Sequence, residues 1–179
     1  MGAIVLCRHG VTAGNAAGHF LSTTDLHLSD AGEEQCRALA PLLSKFEFEC
    51  CLVSPMRRCV RTRELAAPGV PFATFEALRE VDFGGWEGRT LQWVADNDAL
   101  RLAHRRRDPV TFRPPSGESF ADVADRLAPV VESLRGATCA LVIAHRGTLG
   151  VLERLLRGLP LHSQDVRPLE PAEFRALLI

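Results

Sequence analysis

The feature that most narrows the fold is an alternation of two patterns. Three apolar, strand-forming runs occur at 3–7 (Ala3-Ile4-Val5-Leu6-Cys7), 49–53 (Glu49-Cys50-Cys51-Leu52-Val53) and 138–144. Stretches with helical spacing of apolar residues follow them. Strands that alternate with helices imply an α/β fold, here a three-layer α/β/α sandwich: a mostly parallel central sheet with helices on both faces. At 179 residues the chain is long enough to bury a sizeable core and is expected to form one domain over residues 1–179.

Local signals place the other elements. Ser29 reads as an N-cap, with acids in the first turn after it and apolar positions at Cys36, Leu39, Ala40 and Leu43. Pro41 inside that pattern predicts a kink or a frayed turn. Further helices are expected over 56–66, stopped by Pro68-Gly69, and over 90–104, 119–134 and 148–157. A weaker strand is expected over 70–75 and an edge strand over 173–179. Between 78 and 88 lies a Gly-rich irregular segment that carries Glu80, Asp82 and Trp86.

Composition excludes several classes of partner. Formal net charge is −1, so no global field argues for nucleic acid or an anionic membrane. No apolar run approaches the length of a membrane span, and the N-terminal apolar segment is too short for a secretion signal. Cytoplasmic residence is the expectation. The six cysteines form no C-x-x-C pair and several sit in apolar runs, so they read as free, buried packing residues.

Chemistry gathers at the strand ends. The first run stops at Arg8-His9-Gly10, the second at Ser54-Pro55-Met56-Arg57 and the third at His145-Arg146-Gly147. Parallel neighbours would bring these ends to one edge of the sheet, where ligands of open α/β sheets collect. Two arginines and two histidines at one point are costly unless an anion compensates them. Phosphate suits them, because guanidinium forks match its oxygens. A neutral imidazole is a competent nucleophile, and a carboxylic acid can protonate the leaving alkoxide; Glu80 and Asp82 are the candidates. The two histidines lack metal-ligand spacing, although Asp25, Glu80 or Asp82 could complete a zinc set on paper. No metal and no cofactor is expected. The polar loop after the first run adds Thr12, Asn15 and Ser22 as candidate substrate contacts.

The residues resemble the histidine phosphatase superfamily, also called phosphoglycerate-mutase-like. The matching pieces are Arg8-His9-Gly10-Val11-Thr12 with Asn15, Leu28-Ser29 to Gly32, Ser54-Pro55-Met56-Arg57 to Thr62, Leu78-Arg79-Glu80, and His145-Arg146-Gly147. The resemblance implies that His9 is the phosphorylated nucleophile and Glu80 the proton donor. It also implies that Arg8, Arg57, His145 and Asn15 bind the phosphoryl group. The implied activity is that of a histidine acid-type phosphatase, a phosphoric monoester hydrolase acting on a small phosphorylated substrate without metal.

Within that family, Glu80-Val81-Asp82-Phe83-Gly84-Gly85-Trp86-Glu87-Gly88 is similar to the broad-specificity and α-ribazole phosphatases. Mutase-like transfer, or a catalytically weak module that binds phospho-ligands, are the alternatives. His104-Arg105-Arg106-Arg107 lies near the basic pair with which mutases grip a carboxylate, and a solvated helix end is its simpler reading. Pro114-Pro115-Ser116-Gly117-Glu118-Ser119 resembles the family's Pro-Gly-Gly-Glu-Ser loop, with Ser116 in place of the first glycine. Leu21 stands where mutases place a threonine. The few residues beyond the last strand predict an open site with loose specificity.

Overall fold

A computed structural model describes residues 2–16 and 18–178, with the side chains of Asn15 and Ala16 outside the description. Five strands form one sheet: β1 (Ala3–Arg8), β2 (Cys50–Val53), β3 (Phe72–Thr74), β4 (Cys139–Ala144) and β5 (Phe174–Leu178). Their order is β3-β2-β4-β1-β5, parallel throughout except for β5, which runs antiparallel to β1 along the edge. The register pairs Arg8 with Ala144 and Val53 with Ile143, so β1, β2 and β4 all finish at the same level.

The described helices are α1 (Ala13–Ala16), α2 (Asp30–Leu43), α3 (Arg57–Ala66), α4 (Leu91–Asn97), α5 (Ala99–Arg107), α6 (Phe120–Leu134) and α7 (Arg146–Leu156). Alternation along the strands divides them between the two faces. Ile4, Leu6, Ala140 and Val142 pack against Val123, Leu127, Val130 and Leu134 of α6 and Leu149 and Leu152 of α7. Val5, Cys7, Cys51, Leu141 and Ile143 face the other way, against Leu39 and Leu43 of α2 and Cys59 and Ala66 of α3. The sandwich expected from the sequence is therefore the observed fold.

Two elements depart from expectation. Helix α2 continues through Pro41 to Leu43, and Ser44 N donates to the Ala40 carbonyl, so the last turn is closed rather than frayed. The single helix expected over 90–104 is broken at Asp98, whose φ of −143° leaves the helical region. Trp86 Nε1 donates to the Asp98 carboxylate at 2.9 Å, which gives the buried indole its partner and takes Asp98 out of the helix. Trp86 is 1% exposed and is a core aromatic.

All six cysteines are free, with Cys7, Cys36, Cys51 and Cys59 buried. Burial pushes the Cys7 thiol well above its ordinary pKa, as packing rather than reactivity requires. Among the described residues no helix is long and apolar enough to cross a membrane.

Candidate active site

The shared level of the strand ends decides what can meet. His9 follows β1 and His145 follows β4, its neighbour, so the two rings lie 5.1 Å apart at 63°. They touch edge to face. Both are almost fully buried, at 3% and 0% exposure.

His9 Nδ1 lies 2.7 Å from the Gly10 carbonyl oxygen. A carbonyl only accepts, so Nδ1 carries the proton and the lone pair sits on Nε2. Burial, followed by the nearby Arg58 guanidinium, pushes the His9 pKa down to about 3. The ring is neutral at ordinary pH, as a nucleophile must be. His145 is held differently. Arg58 Nε donates to its Nδ1 at 3.3 Å, and its Nε2 lies 2.8 Å from Ser54 Oγ. Since a guanidinium cannot accept, His145 is neutral with its proton on Nε2. Its pKa is far below the ordinary value, through burial and then the field of His9.

Arg57, assigned to the phosphoryl group by the sequence, is not in the site. Its side chain is 65% exposed and lies 3.6 Å from Asp25 and 3.2 Å from His27 Nε2. The adjacent Arg58 is the buried guanidinium that reaches His145. Successive helical residues diverge by about 100°, and the turn of α3 sends position 58 inward. The motif's threonine carries the signal for this. Thr62, which accepts from Gly10 N at 3.1 Å, lies four residues after Arg58 and shares its face. Four residues after Arg57 comes Arg61, which pairs at the surface with Glu33 and Glu64.

Arg8 is 6% exposed; it donates from Nη1 to the Leu169 carbonyl at 2.9 Å and lies 3.9 Å from Glu170. Among the described residues its buried Nε has no hydrogen-bond partner. An orphan guanidinium donor beside a neutral imidazole is a ready contact for an anion's oxygen.

Glu80 sits against the start of α7. Its Oε1 accepts from the amides of Val81, Gly147 and Thr148 at 3.0–3.1 Å, while Oε2 has a longer 3.2 Å contact to Gly147 N. A Cβ on Gly147 would come within 2.8 Å of Oε1, so the glycine of His145-Arg146-Gly147 makes room for this carboxylate. Arg126 of α6 holds the strand-like segment behind it, donating to the carbonyls of Arg79 and Glu80 and pairing with Glu118. Asp82 is structural: its Oδ1 accepts from Gly84 N, and its own amide donates to Glu118.

The remaining sequence candidates take supporting places. Thr12 is buried and bridges to Leu28. Asn15 lies in α1, with its side chain outside the described residues. Ser22 is buried, and its carbonyl accepts from Arg58 Nη2 at 3.2 Å while its hydroxyl donates to Glu87 at 2.7 Å. Glu87 was visible in the sequence only as part of a Gly-rich motif. Among the described residues, no three His, Cys, Asp or Glu side chains are grouped as metal ligands.

A cleft of about 670 Å³ opens from Arg8, Glu80 and Gly147. Of the basic run at 104–107 only Arg105 lines it; Arg106 and Arg107 are exposed. Val166, Pro168, Glu170 and Pro171 also line it, so the C-terminal segment contributes a wall to a site expected to be open.

The chain is similar to several known proteins. The sequence model of the histidine phosphatase superfamily (branch 1) matches residues 4–179. Human 6-phosphofructo-2-kinase/fructose-2,6-bisphosphatase 4 is 36% identical over 151 residues, 83% of this chain but only 31% of that protein's length. Glucosyl-3-phosphoglycerate phosphatase of Mycolicibacterium vanbaalenii is 35% identical over 176 residues, covering 91% of this chain and 77% of that one. Among solved structures, a mycobacterial glucosyl-3-phosphoglycerate phosphatase complexed with VO3 superposes with a TM-score of 0.89 at 28% identity, over 99% of this chain and 93% of that one. The α-ribazole phosphatase of Shigella flexneri gives 0.88 at 26% identity, over 99% and 90%.

Proposed function

The chain belongs to the histidine phosphatase superfamily, and from that premise we propose that it is a metal-independent phosphomonoesterase that works through a phosphohistidine on His9. The observation that carries the reading is the fixed tautomer of His9. Its Nδ1–H is anchored on Gly10 O, and the free Nε2 lone pair sits among the buried cations Arg8 and Arg58.

In the proposed reaction, Nε2 attacks phosphorus and the ester P–O bond breaks in line. Arg8, through its unpartnered Nε, and Arg58 neutralise the phosphoryl oxygens as charge develops. The departing alkoxide takes a proton from Glu80, whose Oε2 is the less engaged oxygen. Water then attacks the phosphohistidine and gives a proton to the Glu80 carboxylate. The P–N bond breaks, orthophosphate leaves, and the lone pair returns to Nε2. His145 acts by orienting Arg58, since both of its ring nitrogens are engaged.

The test is turnover of para-nitrophenyl phosphate in the presence of EDTA, beside His9→Ala. Turnover that survives EDTA and vanishes in the variant supports the reading. Loss of activity in EDTA, or retention in His9→Ala, overturns it. An acid-labile, base-stable phosphoryl label that is absent from His9→Ala identifies the intermediate.

A further inference from the structure

We propose that the preferred substrates are phosphomonoesters of alcohols with an apolar, ring-sized body rather than of small polyols. This rests on the phosphatase reading above and specifies the alcohol. The first support is size. At about 30 Å³ per water, a cleft of 670 Å³ holds roughly twenty waters, far more than a phosphoryl group and a three-carbon chain displace. It falls within the range of sites that enclose ligands of several hundred daltons.

The second support is the chemistry of the wall. Beyond Arg8 and Glu80 the lining includes Phe20, Leu21, Phe83, Leu91 and Phe120, together with Val166, Pro168 and Pro171. Several charged groups that share the lining are already engaged. Arg154 donates to the carbonyls of Gly150 and Ser163, and Glu170 lies beside Arg8. Among the described residues Arg105 makes no hydrogen bond or ion pair, and its guanidinium lies within 6 Å of the rings of Phe83, Trp86 and Phe120. Arg146 and His19, both exposed, also face the cleft, but along the wall of Phe20, Phe83, Leu91 and Phe120 a polyol would lose water from hydroxyls that find few partners, whereas an apolar body has no hydrogen bond to lose.

The third support is rigidity. Phe20 meets Phe83 at 5.0 Å and Trp86 at 5.7 Å, and Trp86 stacks on Phe112 at 5.4 Å with its indole N–H fixed by Asp98. The aromatic surface is thus formed before a ligand arrives, which suits a flat ring. Leu91, 49% exposed at the start of α4, extends the apolar wall outward.

The experiment separates this inference from the phosphatase reading. Binding to the full chain is measured by calorimetry with two non-hydrolysable ligands, 3-phenylpropylphosphonate and 3,4-dihydroxybutylphosphonate. Turnover is measured with 2-phenylethyl phosphate and glycerol 3-phosphate, both esters of primary alcohols. We expect the phenyl ligand to bind at least about tenfold more tightly and its ester to show a similar advantage in kcat/KM. Leu91→Asp should shrink both ratios severalfold, and Leu100→Asp, an exposed site outside the cleft lining, should leave them as they are. Equal or tighter binding of the dihydroxy ligand, or a ratio untouched by Leu91→Asp, overturns the inference. If neither ester is hydrolysed while the phenyl ligand still binds preferentially, the phosphatase reading fails and the assignment of the cleft stands.

Discussion

Glu87 and Arg58 hold the same two loop residues from opposite sides. The carboxylate accepts from the amides and hydroxyls of Ser22 and Thr24 at 2.7–3.1 Å. The guanidinium donates to the carbonyls of those residues at 3.2 and 3.0 Å, and its Nε turns to His145. Glu87 therefore positions a guanidinium that it does not touch. Its hydrogen bonds hold its carboxyl below the usual pKa, against the opposing effect of burial. Replacing Glu87 by Ala frees the loop and lets Arg58 drift. We expect kcat to fall by roughly 10- to 100-fold, the scale of an ångström-level misplacement. Glu87→Gln, which retains part of the hydrogen bonding, should recover some of that loss. Equal kcat in Glu87→Ala and the parent, with folding verified by thermal melting, would show that the loop needs no such anchor.

The neighbouring arginines of α3 offer a sharper contrast. Arg58 is 4% exposed and belongs to the site, whereas the Arg57 side chain is 65% exposed and meets Asp25 and His27. Loss of a charge-stabilising donor costs about 10²–10³ in kcat, so Arg58→Ala should fall in that range. Arg57→Ala should stay within about twofold, because exposed pairs contribute little. Steady-state kinetics on para-nitrophenyl phosphate reads both, and a reversed order would restore Arg57 to the site.

The one-residue error shows what was legible in the sequence. The fold and the levels of the strand ends could be read because alternation and apolar runs state which residues are buried. Arg8, His9 and His145 stand out in the sequence because they end or directly follow the first and third of those strands, and Glu80 because it precedes the glycines of the irregular segment. The choice between Arg57 and Arg58 depends on the phase of a helix relative to the sheet, which adjacent arginines do not reveal by themselves. The spacing to Thr62 would have settled it. The engagement of both His145 nitrogens was also hidden, since a partner's donor atom depends on rotamers. The break at Asp98 was hidden for a related reason: it answers the hydrogen-bond need of Trp86, twelve residues earlier.

Ser116 occupies the place of a glycine in the loop that braces Glu80, and its φ is +59°. A side chain in this left-handed region costs about 1–2 kcal/mol, partly offset by the greater freedom a glycine would have when unfolded. The side chain is exposed and has no packing to lose. Ser116→Gly should therefore stabilise the protein by about 0.5 kcal/mol, a Tm rise of roughly 1–2 °C. Calorimetry checks this, and an unchanged or lower Tm would mean that the hydroxyl offsets the strain.

Acid should destabilise the protein through the two buried histidines. The His9 pKa is about 3 in the folded chain against 6.5 ordinarily, and that of His145 is also far below 6.5. Below pH 6.5 the unfolded chain binds protons that the folded chain refuses, so stability falls as pH drops from 6.5 towards 3. Between pH 7 and pH 5 each histidine that stays neutral in the fold costs about 2 kcal/mol by this linkage, whatever its folded value below 5. His9→Asn removes one of the two. Its urea-unfolding free energy should lose about 2 kcal/mol less than the parent's over the same pH change. Equal losses in parent and variant would mean that His9 takes up its proton inside the fold, and a protonated His9 has no lone pair on Nε2 to offer phosphorus.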